Sequence, residues 1–262
     1  MCRGVPERSD QHSVGWAPFE RLADRYDAWF ETGKGRLVFQ VEANCLRDLL
    51  EEAPRPWLEV GIGTGRFAEA LGVDEGIDPG PAVLKYAAKR GIRTRTGRAE
   101  ELPFSGNEFG VVLLVVTICF LENPGQALGE CRRVLRNDGY AVIGLVPKDS
   151  PWGEAYARKG AEGHPFYSVA RFYTAREVIG LAERAGFYLN RATSCLFERP
   201  DRTVERYQRP REGVVTDAGF VGLRFGIDDN GEKPKQGERQ CRNSDHPSQG
   251  WPTTENSRRL NS

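Results

Sequence analysis

The sequence predicts a doubly wound α/β chain: an open, mainly parallel sheet with helices on both faces, finished by an antiparallel strand. Three observations carry this. Short apolar runs alternate with segments of helical periodicity between Ala23 and Ile227, which is the pattern of strand–helix–strand units. Val111 to Thr117 is a continuous run of valine, leucine and one threonine, suited to a strand covered on both faces. The last two strand-like segments, Phe187 to Cys195 and Gly219 to Ile227, have only a long loop between them, so one returns antiparallel.

Taken in order, Ala23 to Leu50 reads as largely helical, with a break expected near Thr32-Gly33-Lys34-Gly35. Trp57 to Val60 is a buried strand ending at a glycine cluster, and Arg66 to Leu71 opens a helix. Gly76 to Asp78 ends a second strand. Pro81 to Arg90 is then helical, with Val83, Leu84, Ala87 and Ala88 expected on its inner face. Asn123-Pro124 supplies an N-cap followed by proline at the first helical position, Ala127, Leu128, Cys131, Val134 and Leu135 form the stripe, and Gly139 is the expected stop. Tyr140 to Val146 is the next strand. Thr174 with Glu177 forms a capping box, opening a helix that stops at Gly186.

Composition limits the function classes. The 262 residues carry 37 Lys+Arg against 37 Asp+Glu, a balance that argues against a nucleic-acid platform. The hydrophobic fraction of 39% is low, and the segment 228–262 accounts for it: Cys241, Trp251 and Leu260 are its only clearly apolar residues. Such a segment cannot offset its ordering entropy by burial, so a disordered tail is expected at 228–262, a flexible arm at 1–18, and a folded body over 19–227. The longest apolar run, Val111 to Leu121, is 11 residues, about half a membrane span. The N-terminal stretch has charges and no apolar core, unlike a secretory signal. Six scattered cysteines without a CxxC pair suit neither a zinc site nor a disulfide scaffold. No metal site, membrane association or nucleic-acid partner is expected, and a cytoplasmic location is.

The chemistry lies where the first strand ends, in Glu59-Val60-Gly61-Ile62-Gly63-Thr64-Gly65-Arg66. Glycines at alternate positions let the backbone turn sharply against a ligand, and the helix that follows begins with free N–H donors. A tight turn needing glycine for geometry alone is one reading. A dinucleotide fingerprint is another, but its third glycine belongs where Arg66 stands. Asp78, 17 residues beyond Gly61, ends the second strand, where a carboxylate can accept both hydroxyls of a ribose or merely cap a helix.

Together these segments resemble class I S-adenosylmethionine-dependent methyltransferases of the methyltransferase domain 11, or UbiE-like, group. The resemblance covers about Phe19 to Ala192. Leu58 to Leu71 is similar to the family's glycine-rich motif and Gly76-Ile77-Asp78-Pro79 to its second. Gly97 to Phe104, Asn107 to Val112 and Arg133 to Gly139 are similar to the later ones, and Phe19 to Phe30 resembles its N-terminal lid helix. The resemblance implies a Rossmann-like, mainly parallel seven-stranded sheet with one antiparallel C-terminal strand. It implies methyl transfer from S-adenosylmethionine to a small-molecule acceptor, with S-adenosylhomocysteine as product. Gly61, Gly63, Thr64 and Gly65 would line the methionine moiety with Glu59 shaping the loop, and Asp78 would hold the ribose. Arg98, Ala99 and Glu100 would flank the adenine, and Val115 to Thr117 would pass the sulfonium. Arg98 departs from the family's usual Asp or Asn, leaving its backbone N–H to serve; Gly110 replaces a usual Asp.

On the acceptor side, Tyr26, Trp29 and Phe30 recur at helical spacing, as core packing or as a lid whose rings meet a cation. The segment 147–173 reads as an insertion over the acceptor, carrying Trp152, Tyr167 and His164, the one histidine outside the expected tails. His164 is the candidate general base, with a surface loop residue as the alternative. Cys119 reads as a small buried hydrophobe. A non-catalytic cofactor-binding domain and a nucleotide-dependent oxidoreductase are the competing functions.

Overall fold

The computed structural model describes residues 15–202 and 209–227. The expectations for 1–14 and for the tail at 228–262 lie outside the described residues. Three helices come first: α1 (Ala17–Arg21), α2 (Ala23–Trp29) and α3 (Gly33–Arg47). Helix α1 thus opens inside the segment expected to be an arm, with Pro18 buried in its first turn. The break between α2 and α3 falls at 30–32, earlier than expected. Thr32 accepts a hydrogen bond from the Gly35 N–H at 3.0 Å, so the two glycines form the first turn of α3 rather than interrupting a helix.

The sheet is built from β1 (Trp57–Val60), β2 (Glu75–Asp78), β3 (Arg93–Thr96), β4 (Phe109–Val115), β5 (Leu135–Leu145), β6 (Phe187–Cys195), β7 (Arg211–Glu212) and β8 (Phe220–Ile227). Their order is β3-β2-β1-β4-β5-β8-β6-β7. The first five are mutually parallel where they pair, and β8 runs antiparallel to both β5 and β6. The sheet has eight strands rather than seven because the two-residue β7 pairs with β6 at the margin. Helices α4 (Arg66–Leu71), α5 (Pro81–Lys89), α6 (Pro124–Val134), α7 (Pro151–Ala161) and α8 (Ala175–Arg184) make the crossovers and the insertion.

Local chemistry sets most boundaries. Asn123 caps α6 by accepting from Gln126 N–H at 3.1 Å, and Thr174 and Glu177 cap α8 reciprocally. Two expectations fail. Ala88 is exposed while Val83, Leu84 and Ala87 are buried, because position 88 lies about 100° round the helix from 87. Gly139 does not stop α6; the helix ends at Val134 and Gly139 lies within β5. A Cβ there would stand 2.7 Å from the Gly110 carbonyl, so close strand approach is what requires glycine.

Two apolar layers enclose the sheet. One holds Leu46, Leu49, Phe67 and Leu113 under α3 and α4; the other holds Leu58, Val112, Leu128 and Val178 under α6 and α8. Strand order reverses between β1 and β4, so the carboxyl ends of those strands part into a crevice. Among the described residues no helix is long and apolar enough to cross a membrane.

Candidate active site

At the end of β1 the chain turns through Gly61 (φ +74°), Gly63 (φ +53°) and Gly65 (φ +80°), all left-handed. The N–H groups of Gly61 and Ile62 both donate to the Ile77 carbonyl, at 2.8 and 3.1 Å. A Cβ on Gly61 would collide with the Thr117 side chain, and one on Gly65 would stand 2.8 Å from Ala87 Cβ. Gly63 differs: its Cβ would meet only Tyr26 Cε1, at 3.7 Å. Geometry demands the outer glycines, and the middle one leaves room beside the crevice.

Asp78 closes the bend from β2. Its Oδ2 accepts from the Gly63 N–H at 3.0 Å and its Oδ1 from the Gly80 N–H at 2.9 Å. Burial pushes its carboxyl up to about 6 against those two donors, and the Glu20 charge adds to the rise. Glu59 lies behind the loop, 2% exposed, with Oε2 unpartnered among the described residues. Burial and then the Asp78 charge hold it well above the usual carboxylate range.

A crevice of about 420 Å³ runs from this bend toward α7. Of the residues expected at the cofactor, Gly61, Gly63, Asp78, Arg98, Ala99, Glu100, Val115 and Thr117 line it. Glu59, Thr64 and Gly65 do not; they are buried behind it. Arg98 is engaged with carboxylates, Glu122 at 2.9 Å and Glu100 at 3.4 Å. Glu100 in turn accepts from the N–H groups of Glu122 and Asn123. Between Val115 and Thr117, Val116 takes φ +52°, a strained conformation for a β-branched residue.

The N-terminal helices are fastened across this end. Arg66 donates to both oxygens of Asp27, at 2.9 and 2.7 Å, and pairs with Glu31 at 2.6 Å. Arg90 reaches the same Asp27 oxygens at 3.0 and 3.1 Å and the Thr64 carbonyl at 2.8 Å. Burial pulls the Asp27 carboxyl upward, but the hydrogen bonds from Arg66 and Arg90 hold it below its ordinary value. Glu20 accepts from the Ala82 N–H at 2.8 Å, and Tyr86 donates to Asp24. The arginine that breaks a dinucleotide fingerprint therefore holds α2 over the glycine bend.

Toward the acceptor end, Tyr26, Trp29, Phe30, Tyr167 and His164 line the crevice as expected. Trp152 does not. It is 1% exposed, and its indole Nε1 donates to the Glu198 carbonyl at 2.7 Å; Ser150, capping α7, turns that face of the helix into the core. Tyr156, one turn on, takes the place at the crevice and stacks on Tyr167 at 4.4 Å, with His164 on Tyr167's ring at 4.3 Å. The His164 Nδ1 is buried without a partner among the described residues. Burial, then Arg25 and Lys159, lower its pKa, so the ring is neutral. Cys119 lines the crevice as a buried thiol raised to about 12 by burial. Val116 falls inside the stretch expected to pass the sulfonium, and Tyr156 inside the expected insertion; Glu42 is a lining residue that sequence reasoning missed. The signal for Glu42 was available: it is an acid within the inward stripe Val38, Val41, Cys45 and Leu46.

A doubly wound sheet with this strand order, a glycine bend after β1 and a buried acid after β2 defines the class I methyltransferase architecture. The profile described as a methyltransferase domain matches residues 58–143. An uncharacterized Mycobacterium tuberculosis protein is 38% identical over 203 residues, covering 78% of this chain and 71% of that one. The malonyl-[acyl-carrier protein] O-methyltransferase of Geobacter sulfurreducens is 30% identical over 188 residues, covering 64% and 68%. A crystal structure from Thermotoga maritima, a SAM-dependent methyltransferase described as a possible histamine N-methyltransferase, superposes with TM-score 0.75 at 33% identity, covering 81% of this chain and 99% of that one. The chain belongs to the methyltransferase-domain family and is an enzyme of S-adenosylmethionine-dependent methyl transfer.

Proposed function

We propose that the crevice binds S-adenosylmethionine along Gly61, Gly63, Asp78 and 98–100, and that the aromatic recess beyond Tyr26 admits a small-molecule acceptor. The observation that carries this reading is Asp78: a buried carboxylate drawn to the bend by the Gly63 N–H, beside a position whose Cβ would narrow the crevice. Each Asp78 oxygen accepts one N–H and keeps capacity for another donor, which suits two ribose hydroxyls. Ala99 presents a small apolar surface to an adenine, and the Arg98 guanidinium stays with Glu100 and Glu122.

When bound, the cofactor supplies a methyl group already activated by positive sulfur. The protein's contribution is to align an acceptor with that carbon, a proximity effect of about 7–11 kcal/mol at best. Tyr26, Trp29 and Phe30 on and just after α2 cover the bend and exclude water, held there by Asp27, Arg66 and Arg90. His164, a ring stacked on Tyr167 at the edge of the recess, is the histidine that an acceptor proton would reach if it leaves by a general base there.

Calorimetry with S-adenosylmethionine, S-adenosylhomocysteine and NAD tests the cofactor assignment. Binding of both S-adenosyl ligands and none of NAD is expected; the reverse preference overturns it. Turnover of a labelled methyl donor over an acceptor panel tests the small-molecule assignment.

A further inference from the structure

Helix α3 turns one carboxyl into the acceptor end of the crevice. Glu42 is 7% exposed and lines the cavity, on a helix whose Val38, Val41, Ala43, Cys45 and Leu46 are also buried. No group among the described residues hydrogen-bonds its carboxyl. The titratable groups that face it are Tyr26 from α2, Tyr156 from α7, Tyr167 from the 3₁₀ turn Tyr167–Val169, Cys195 from β6 and Cys45 on its own helix. None of these is a cation. Of the cations lining the crevice, Arg25 and Lys159 act instead on His164, and Arg98 pairs with Glu100 and Glu122.

A carboxyl buried without counter-charge or donor is costly in the free protein, and ring faces of tyrosine favour a cation beside them. We propose that Glu42 receives a protonated amine as the methyl acceptor, holds it among Tyr26, Tyr156 and Tyr167, and takes the proton that must leave before the nitrogen attacks. The proposal rests on the methyl-transfer reading above. The ammonium gives one proton to the Glu42 carboxylate, leaving a neutral amine and a carboxylic acid. The nitrogen lone pair then forms the N–CH₃ bond while the electron pair of the S–CH₃ bond returns to sulfur. Products are the methylated ammonium and a neutral thioether. Burial, with Cys45, pushes Glu42 up to about 8, so near neutral pH the free acid keeps its own proton, which leaves to solvent as the ammonium pairs with the carboxylate.

The test uses the full chain loaded with S-adenosylhomocysteine and three probes of one shape: 2-phenylethylamine, 2-phenylethanol and 3-phenylpropanoate. The amine is expected to bind at least about tenfold more tightly than either analogue, and Glu42→Gln, an isosteric change, to abolish that preference. The variant's affinity for S-adenosylhomocysteine is expected to be unchanged, which also reports that it folds. With labelled S-adenosylmethionine, methylation of the amine is expected to fall about 100-fold or more in Glu42→Gln. Equal or tighter binding of the alcohol or the acid, no binding of the amine, or a Glu42→Gln variant that keeps the preference would each overturn the amine assignment while leaving the cofactor reading intact. Failure of S-adenosylhomocysteine to bind wild type would overturn both, and is read separately from the probes.

Discussion

Around the glycine bend the charged groups, the buried Glu59 apart, are matched within the protein, whereas Glu42 and His164 are not. Asp27 takes two guanidiniums, Asp78 two backbone N–H groups, and Arg98 two carboxylates. Glu42 meets tyrosines and thiols, and His164 Nδ1 has no partner among the described residues. The first end is shaped by backbone, with glycine conformations and main-chain donors that tolerate little change. The second is shaped by side chains from α2, α3, α7 and the turn at Tyr167. A site complete in itself suits a ligand that never varies. One left short of a charge partner waits for the ligand to bring it.

The contrast breaks most sharply at Gly61. Gly61→Ala forces a Cβ into Thr117 at a left-handed residue. A loss of about 3–4 kcal/mol in unfolding free energy, together with loss of S-adenosylhomocysteine binding, is expected from denaturation and calorimetry. Near-normal values in both would show the bend to be adaptable. Asp27→Ala comes next, leaving two guanidiniums facing each other without their carboxylate; about 3 kcal/mol is expected, seen as faster hydrogen exchange in α1 and α2.

The two acids of this end also titrate with opposite sign. Asp27 is held below its unfolded value, so its contribution is present at neutral pH and is lost as pH falls through the ordinary carboxylate range and below. Asp78 is raised to about 6, so the folded chain binds that proton more tightly, and stability without ligand declines as pH climbs from about 4 to about 6. Urea titrations of Asp78→Asn should lose the second slope and keep the first. Asp78→Ala should weaken cofactor binding by about 2 kcal/mol.

At the acceptor end the expected effects are smaller and fall on a different observable. Trp152→Phe removes the bond to the Glu198 carbonyl, costing about 1 kcal/mol of stability with acceptor KM unchanged; a raised KM would return Trp152 to the site. His164→Ala removes a stacked ring and is expected to cost about 0.5–1 kcal/mol in acceptor binding. Unchanged turnover at every pH would dismiss it as a proton acceptor.

What could be read from the chain follows the same division. Gly61, Gly63, Asp78 and Ala99 stand at fixed distances from strand ends, and one strand's local chemistry places each of them. Tyr156 and Trp152 sit on one helix four residues apart, and which of them faces the crevice depends on how α7 docks against Gly219 and Glu198; no local pattern decides that. Strand β3 was not read from its own residues, since Arg-Thr-Arg-Thr carries no apolar alternation and its pairing is imposed by β2. Glu42 was overlooked because an acid in a helix is ordinarily a surface residue, and only its apolar neighbours mark it out.

That unpromising β3 has a further use. It ends the sheet on one side with Arg93 and Arg95 turned outward, both drawn toward Glu75 on the neighbouring strand. Two molecules meeting along this margin would set guanidinium against guanidinium and strip water from each. Extending the ladder from one copy to the next along this margin would therefore cost the desolvation of both guanidiniums, at four residues that contribute nothing to the core.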